Sequence, residues 1–226
     1  MRKRLTLAAC LLAVVACGAK PAPAPPQTQA PVVQQPAKVS SRPRVVVLGD
    51  SLTAGFGLPL PDAYPSLLQD WIDKERLNFE VINAGVSGDT SAGGLARLDW
   101  ALDGDVRFLV VALGGNDGLR GLPATQLRDN LSAIIERAQA KHIIVVLAGM
   151  EAPRNFGRDY VVGFHQVYPD LARKYNVTLV PFLLQDVAGI ERLNQRDGVH
   201  PTAEGAEIVA KNVWTRLRPL LAAAHS

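Results

Sequence analysis

Cysteine is scarce in this chain of 226 residues, which contains only two. Both of them, Cys10 and Cys17, lie close to the N-terminus, so the rest of the sequence can form neither a disulfide bond nor a thiolate metal site. The four histidines include no pair at the spacing of metal ligands. We therefore expect a protein without a metal ion or any other cofactor.

The apolar run near the N-terminus is too short to cross a membrane. It covers residues 5–16, whereas a transmembrane helix needs roughly 20 apolar residues. Basic residues fill positions 2–4 before it, and a basic segment followed by a short apolar run is typical of a secretory signal peptide. We predict that residues 1–16 are a signal peptide that is removed.

Cys17 stands where a lipid anchor would be attached. The segment VVAC, residues 14–17, resembles a bacterial lipobox, in which the cysteine becomes the lipidated first residue after cleavage. The next residue, Gly18, is not the aspartate that is linked to inner-membrane retention. We therefore expect a protein of the bacterial cell envelope, anchored in the outer membrane and facing the periplasm. An ordinary signal peptide that is cleaved nearby is the alternative.

Excess positive charge is absent once this leader is removed. The full chain has 24 Lys and Arg residues against 21 Asp and Glu residues, and three of the 24 lie at positions 2–4. A mature chain with equal numbers of acidic and basic residues gives no basis for binding nucleic acid. No segment of the sequence indicates an obligate protein partner either.

Acidic and aromatic residues are missing from residues 19–43, which are mostly proline, alanine, glutamine and valine. Such a composition cannot bury enough apolar area to offset the entropy of folding, and its prolines favour extended states. We predict a disordered tether over residues 17–43. The remaining residues, 44–222, are enough for one globular domain with a substantial core.

Short apolar runs alternate with helix-like periodicity in residues 44–222. Strands are predicted at residues 45–48, 79–82, 108–113, 143–147 and 178–180. Helices are predicted at residues 64–76, 89–102, after Pro123, 159–175 and 202–217. Strands that are apolar on both faces and separated by helices indicate a five-stranded parallel sheet in a three-layer α/β/α domain. Ligands bind beyond the carboxyl ends of such strands, where GDS, GVSGD and GGND lie.

Ser51 follows the first predicted strand and is a candidate nucleophile. A serine hydroxyl needs a base within hydrogen-bond reach, and His200 is the histidine with an acid at close spacing, Asp197 three residues before it. The loop DGVHP could let Asp197 orient the imidazole while the other ring nitrogen faces Ser51. The alternative is that Asp197 only forms a turn and His200 only precedes a helix.

Two further residues are candidate donors for an oxyanion, which acyl transfer requires. Gly88 in SGDT offers a backbone N–H, and Asn116 in GGND offers a side-chain amide. Each could instead serve only its own turn or loop. Taken together, a nucleophile, two donors and an Asp–His pair at one edge of a sheet favour a catalytic site.

The segments GDSLTAG, NAGVSGDT, LGGNDGLRG and DGVHP resemble, in this order, the sequence blocks of the SGNH (GDSL) hydrolases. The resemblance covers about residues 44–220 and implies a flavodoxin-like fold. It implies Ser51 as the nucleophile, with Asp197 and His200 completing a triad. It also implies an oxyanion hole made by the N–H groups of Ser51 and Gly88 and the side chain of Asn116.

The resemblance implies a serine esterase or thioesterase that acts on aryl esters, acyl-CoA or lysophospholipids, as its bacterial thioesterase, lysophospholipase and arylesterase members do. Two loops, residues 118–123 and 149–160, are the candidates for binding the acyl group. Their apolar members are Leu119, Leu122, Met150, Pro153 and Phe156. The alternatives are an envelope carbohydrate O-acetylesterase and a noncatalytic protein of the same fold that binds lipid or glycan.

Overall fold

A parallel sheet of five strands forms the centre of the domain in a computed structural model that describes residues 41–225. Its strands lie in the order β2-β1-β3-β4-β5, and every neighbouring pair is parallel. The five strands are β1 (Arg44–Gly49), β2 (Glu80–Gly85), β3 (Val106–Ala112), β4 (Ile144–Ala148) and β5 (Thr178–Val180). The five predicted strands and the α/β class are confirmed.

The central strands are almost completely buried, which explains their continuous runs of Val, Leu and Ile. β1 lies between β2 and β3, so that Val46 is paired with Ile82 on one side and with Leu109 on the other. Val46 and Leu109 are both 0% exposed. A strand that is covered on both faces cannot alternate polar and apolar residues, and the helices supply that cover.

Eight helices in the described residues surround the sheet in two groups. α2 packs against α8, while α6 packs against both α3 and α7. The helices are α1 (Ser51–Ala54), α2 (Tyr64–Lys74), α3 (Ser91–Ala96), α4 (Leu98–Ala101), α5 (Gly115–Leu119), α6 (Ala124–Ala140), α7 (Arg158–Tyr175) and α8 (Ala203–His225). None of them combines the length and the apolar character that crossing a membrane requires.

The long helix α6 shows how the sequence pattern produces this packing. Its buried residues recur at intervals of three and four, so that they lie on one face of the helix. They are Leu127, Leu131, Ile134, Ile135 and Ala138, all of them 0% exposed. Burial of this face against the sheet holds the helix in place.

The helix predicted over residues 89–102 is wrong as a single helix, because the chain forms α3 and α4 with Arg97 between them. The guanidinium of Arg97 donates to the Asp89 carboxylate over 2.6 Å and to the Gly49 carbonyl over 2.9 Å. These contacts hold Asp89 outside the helix, and Thr90 caps α3 instead by accepting from the N–H of Gly93. The last helix also continues beyond the predicted residue 217, to His225.

The carboxyl ends of β1 and β3 mark the point where the order of the strands reverses. The chain passes from β1 to β2 on one side and later returns to place β3 on the other side of β1. The segments that leave these two strands diverge, and in open α/β sheets the crevice between such segments is the usual ligand site. Here these segments carry Ser51 and Asn116.

Candidate active site

Ser51 is the first residue of a one-turn helix that begins directly after β1. Asp50 caps this helix by accepting a hydrogen bond of 3.0 Å from the N–H of Leu52. Gly49 is needed before the turn, because a Cβ at that position would overlap the side chain of Thr53. The tight passage from strand to helix therefore presents Ser51 at the edge of the sheet.

The predicted base and acid lie in line with this serine. Nε2 of His200 is 2.9 Å from Oγ of Ser51, and Nδ1 of His200 is 2.7 Å from Oδ2 of Asp197. Both distances are within hydrogen-bond range. An imidazole that donates from Nδ1 to the carboxylate has Nε2 free to accept the serine proton. The structure thus brings together Ser51, His200 and Asp197, which are separated by as many as 149 residues in sequence.

Asp197 is fixed by the backbone of its own loop as well as by the imidazole. Oδ1 of Asp197 accepts from the N–H groups of Val199 and His200, over 2.9 and 3.0 Å. These two backbone hydrogen bonds, followed by the hydrogen bond to the His200 ring, lower the pKa of Asp197 to about 2. The carboxylate is therefore ionised at neutral pH and can stabilise a protonated imidazole.

A second set of contacts ties the Asp197–His200 loop to the helix that carries Ser51. Nε2 of Gln195 donates to the carbonyl of Phe56 over 2.7 Å and to that of Pro201 over 2.9 Å. The rings of Phe56 and His200 also contact each other, with centroids 4.6 Å apart. No local pattern predicts these contacts, because Phe56 and Gln195 are 139 residues apart.

Asn116 lies in the first turn of α5, beside Ser51. Its Nδ2 donates to the carbonyl of Asp89 over 2.9 Å and to Oδ2 of Asp50 over 3.3 Å. The neighbouring Asp117 is buried and accepts from the N–H and the hydroxyl of Ser91, over 2.8 and 2.5 Å. These contacts fix α5 against α3 and hold the Asn116 amide in one orientation.

Gly88 directly precedes Asp89, in an exposed turn between β2 and α3. Its φ of +85° is a conformation that favours glycine. Its carbonyl accepts from the guanidinium of Arg120 over 2.9 Å. Within residues 41–225, its N–H makes no hydrogen bond, so this donor is free to bind a ligand. Binding of an oxyanion by Gly88 and the other predicted donors stays a prediction.

Asp50 is a buried carboxyl group next to the candidate nucleophile. It is 2% exposed, and burial raises its pKa to about 6, against the opposing effects of the Leu52 N–H and the nearby His200. One of its oxygens accepts from Leu52 and the other from Asn116. The first of these bonds fixes the turn that presents Ser51, and the second joins Asp50 to the candidate oxyanion donor.

A cavity of about 370 Å³ opens beside Ser51. Of the five residues predicted to bind the acyl group, Leu119, Met150 and Pro153 belong to its lining. The segment after β5 contributes further apolar residues that the sequence reasoning missed. They are Phe182, Leu184 and Ala188, and the apolar stretch that follows β5 was the available signal for them.

Leu122 and Phe156 are not part of the lining of this cavity, contrary to the expectation from their loops. The ring of Phe156 packs over Gly121 and lies 5.4 Å from the ring of Tyr160. The carbonyl of Leu122 accepts from the hydroxyl of the same tyrosine, over 2.7 Å. The two residues therefore join the loops behind the cavity to α7.

The described part of the chain has no cluster of candidate metal ligands. Residues 41–225 contain no group of three or more His, Cys, Asp or Glu side chains placed to hold a metal ion. Two further histidines are placed as follows: His142 has a φ of +59° just after α6, and His165 lies on the exposed side of α7.

A serine hydroxyl, an imidazole and a carboxylate joined by hydrogen bonds at the carboxyl edge of a parallel sheet are the arrangement of serine hydrolases with an α/β fold. The profile of the GDSL-like lipase/acylhydrolase family matches residues 47–208, which include all three groups. The chain belongs to this family, and it is therefore a hydrolase of the serine esterase and thioesterase class.

Individual relatives agree with this assignment. Esterase TesA of Pseudomonas aeruginosa is 42% identical over 178 residues, which are 78% of this chain and 89% of that protein. Thioesterase 1/protease 1/lysophospholipase L1 of Escherichia coli is 38% identical over 178 residues, 78% of this chain and 84% of that protein. A crystal structure of TesA superposes with a TM-score of 0.76 at 40% identity, covering 78% of this chain and 99% of that one.

Proposed function

We propose that this protein hydrolyses carboxylic esters and thioesters through an acyl-enzyme intermediate on Ser51. The observation that carries the proposal is the series of hydrogen bonds from Asp197 through His200 to Ser51, which ends at a largely apolar cavity. The names of the relatives, an esterase and a thioesterase/lysophospholipase, support the same chemistry.

In the first step, Oγ of Ser51 attacks the carbonyl carbon of the substrate while Nε2 of His200 takes the serine proton. The new C–O bond converts the carbonyl oxygen into an oxyanion, and the charged imidazole is stabilised by Asp197. When the tetrahedral intermediate collapses, the bond to the leaving alcohol or thiol breaks. The leaving group receives the proton from His200, and the acyl group remains on Ser51.

In the second step, water replaces the alcohol or thiol. His200 removes a proton from the water, the hydroxide attacks the acyl carbon, and collapse of the second intermediate returns the proton to Oγ of Ser51. The products are the carboxylic acid and the regenerated enzyme. Each proton that leaves one group is accepted by another, so the cycle needs no cofactor.

The oxyanion is held in both steps by the N–H groups of Ser51 and Gly88 and by the amide of Asn116. In the free enzyme, the Asn116 amide uses one hydrogen for the Asp89 carbonyl at 2.9 Å and directs the other to Asp50 at 3.3 Å. The second contact is longer than a typical N–H···O hydrogen bond. We propose that the oxyanion takes this hydrogen at shorter range, because a short charge-assisted hydrogen bond is stronger than a long one.

Replacing Ser51 tests the proposed nucleophile directly. We expect Ser51→Ala to abolish hydrolysis of p-nitrophenyl butyrate and covalent labelling by a fluorophosphonate, with an unchanged circular dichroism spectrum. Ser66→Ala is the matched control, because Ser66 only donates to the carbonyl of Leu60 and lies outside the cavity lining. Hydrolysis by Ser51→Ala at the wild-type rate would refute the proposal.

The substrate class follows from the cavity and from its position beside Ser51. Its lining is mostly apolar, with Leu119, Met150 and Phe182 among its members, and this favours a medium-sized acyl or aryl group over a sugar. Measuring kcat/KM for aryl esters, acyl thioesters, lysophospholipids and acetylated sugars ranks these substrate classes. Preferred turnover of the acetylated sugars would favour the carbohydrate O-acetylesterase instead.

We also propose that the enzyme works at the cell envelope, attached to the outer membrane by a lipid on Cys17. Residues 1–40, which include the predicted signal peptide and most of the tether, lie outside the described residues. The support for the anchor is the lipobox-like segment at residues 14–17. Membrane lipids and lysolipids would then be within reach of the active site.

A further inference from the structure

The lining of the cavity beside Ser51 contains carboxyl groups and, within the described part of the chain, no lysine or arginine. Three ionisable residues belong to the lining within the described part of the chain, and they are Asp50, Glu151 and His200. No lysine or arginine accompanies them. Two residues with carboxyl groups therefore belong to the lining of the cavity that contains Ser51, and the mechanism above uses neither of them as an acid or a base.

The two carboxyl groups differ in what they can contribute. Asp50 is buried at 2% exposure, and each of its oxygens accepts a hydrogen bond from inside the fold, one from Leu52 and one from Asn116. The side chain of Glu151 is 37% exposed, and its carboxylate is bonded to the ring of His165. Glu151 is therefore the carboxylate that a bound substrate meets at the mouth of the cavity.

The position of Glu151 is fixed from both its backbone and its side chain. Gly149, two residues before it, donates to the carbonyl of Val180 over 2.8 Å and accepts from the N–H of Leu183 over 2.9 Å. Nδ1 of His165 on α7 lies 2.6 Å from Oε1 of Glu151. Because the loop and the side chain are both held, the charge stays at the cavity instead of turning away into solvent.

We propose that Glu151 sets the charge selectivity of this enzyme. It disfavours substrates with an anionic acyl or leaving group, such as coenzyme A with its phosphates, and favours neutral and cationic esters and thioesters of the same acyl chain. The inference rests on the proposed function and narrows its substrate class. A carboxylate close to a second anion at the edge of a protein raises the free energy of the bound state, and this effect is weakened by salt.

A pair of thioesters with the same acyl group isolates this effect. Octanoyl-CoA and the octanoyl thioester of N-acetylcysteamine share the scissile bond and the acyl chain, but only the first carries phosphates. For each variant, the quantity measured is the ratio of kcat/KM for the N-acetylcysteamine thioester to that for the CoA thioester. Glu151→Gln keeps the size of the side chain and its ability to bond to His165, whereas Glu151→Lys reverses the charge.

We expect Glu151→Gln to lower this ratio about fivefold and Glu151→Lys to lower it by more than tenfold, through a gain on the CoA substrate. The ratio is the readout, because an effect of the variant that both thioesters share cancels in it. The matched controls are Glu207→Gln and Glu207→Lys, which make the same charge changes on an exposed position of α8 outside the cavity lining. Raising the ionic strength reduces the effect, as screening requires.

Three results would overturn the proposal. The ratio could be unchanged in both Glu151 variants, it could shift equally in the Glu207 variants, or it could shift without any dependence on salt. Failure of the proposed function has a different signature, namely no turnover of either thioester by the wild type. In that case the test is repeated with p-nitrophenyl hexanoate, which is neutral, and p-nitrophenyl hydrogen adipate, whose acyl group is anionic. If the wild type does not hydrolyse these esters either, both proposals are refuted.

Discussion

At the scale of single residues, the carboxyl groups around Ser51 have different environments and therefore different tasks. Asp197 accepts two backbone hydrogen bonds and one from an imidazole, which lower its pKa to about 2. Asp50 lies in the interior, where burial raises its pKa to about 6. The first group is a permanent negative charge for His200, whereas the second mainly holds Leu52 and Asn116 in position.

Truncating Asn116 should reveal its part in the reaction. We expect Asn116→Ala to lower kcat for p-nitrophenyl butyrate by about 10²–10³-fold with little change in KM, because the lost donor acts on charge that develops in the transition state. Asn78→Ala is the matched control, since Asn78 is exposed just before β2 and lies outside the cavity lining. A rise in KM at constant kcat would contradict the oxyanion role.

The raised pKa of Asp50 predicts a pH dependence of stability with a definite sign. Its folded pKa of about 6 exceeds the ordinary 3.8, so its favourable contribution is complete below pH 3.8 and is lost as the pH rises through 6. The loss is about 2–3 kcal/mol, from the size of the shift. Asp197 has the opposite sign, and its stabilisation is lost only as the pH falls from 3.8 towards 2.

Urea unfolding of the wild type and of Asp50→Asn at pH 4, 5, 6 and 7 measures this contribution. Asparagine can still cap α1 through its side-chain oxygen but carries no charge. We expect the free energy of unfolding of the wild type to decrease, relative to the variant, as the pH rises across this interval. Parallel curves for the two proteins would show that Asp50 does not titrate in the range that its burial implies.

At the scale of secondary-structure elements, local pattern predicted the strands well because the strands of a covered parallel sheet must be apolar throughout. β1, predicted at residues 45–48, extends by one residue at each end, to Arg44–Gly49. The helix predicted at residues 89–102 failed at Arg97, whose bond to the Gly49 carbonyl joins segments 48 residues apart. No local periodicity contains that contact.

The same limit separates the parts of the candidate site that the sequence predicted from those that it missed. Ser51 and Asn116 were predictable because each follows a strand whose carboxyl end lies at the ligand-binding edge of the sheet. The Asp197–His200 pair was predictable because an acid stands three residues before the histidine. The pairing of Glu151 with His165 joins a loop to α7 and depends on how that helix packs. Whether a residue of the loops 118–123 and 149–160 lines the cavity depends on packing in the same way.

At the scale of the whole molecule, β1 places Arg44, the residue at which the predicted tether would join the domain, and Ser51 at opposite ends of one strand. The chain enters the sheet at Arg44, and Ser51 follows the other end of the six-residue strand, about 20 Å away. An enzyme held directly at this entry point would present Ser51 away from the anchoring surface. The predicted tether of residues 17–43 is long enough, at roughly 80 Å when extended, to let the domain turn its active site towards lipid.

The proposed anchor on Cys17 can be tested separately from catalysis. When the full chain is produced in a Gram-negative host that is fed an alkyne fatty acid, we expect the wild type to be labelled and Cys17→Ser not to be. Cys10→Ser is the matched control, because it removes the other cysteine of the chain from within the predicted signal peptide and leaves the lipobox intact.

The purified Cys17→Ser domain should hydrolyse p-nitrophenyl butyrate at the wild-type rate, since the site lies wholly within residues 41–225. Labelling that survives in Cys17→Ser would refute a lipid on Cys17.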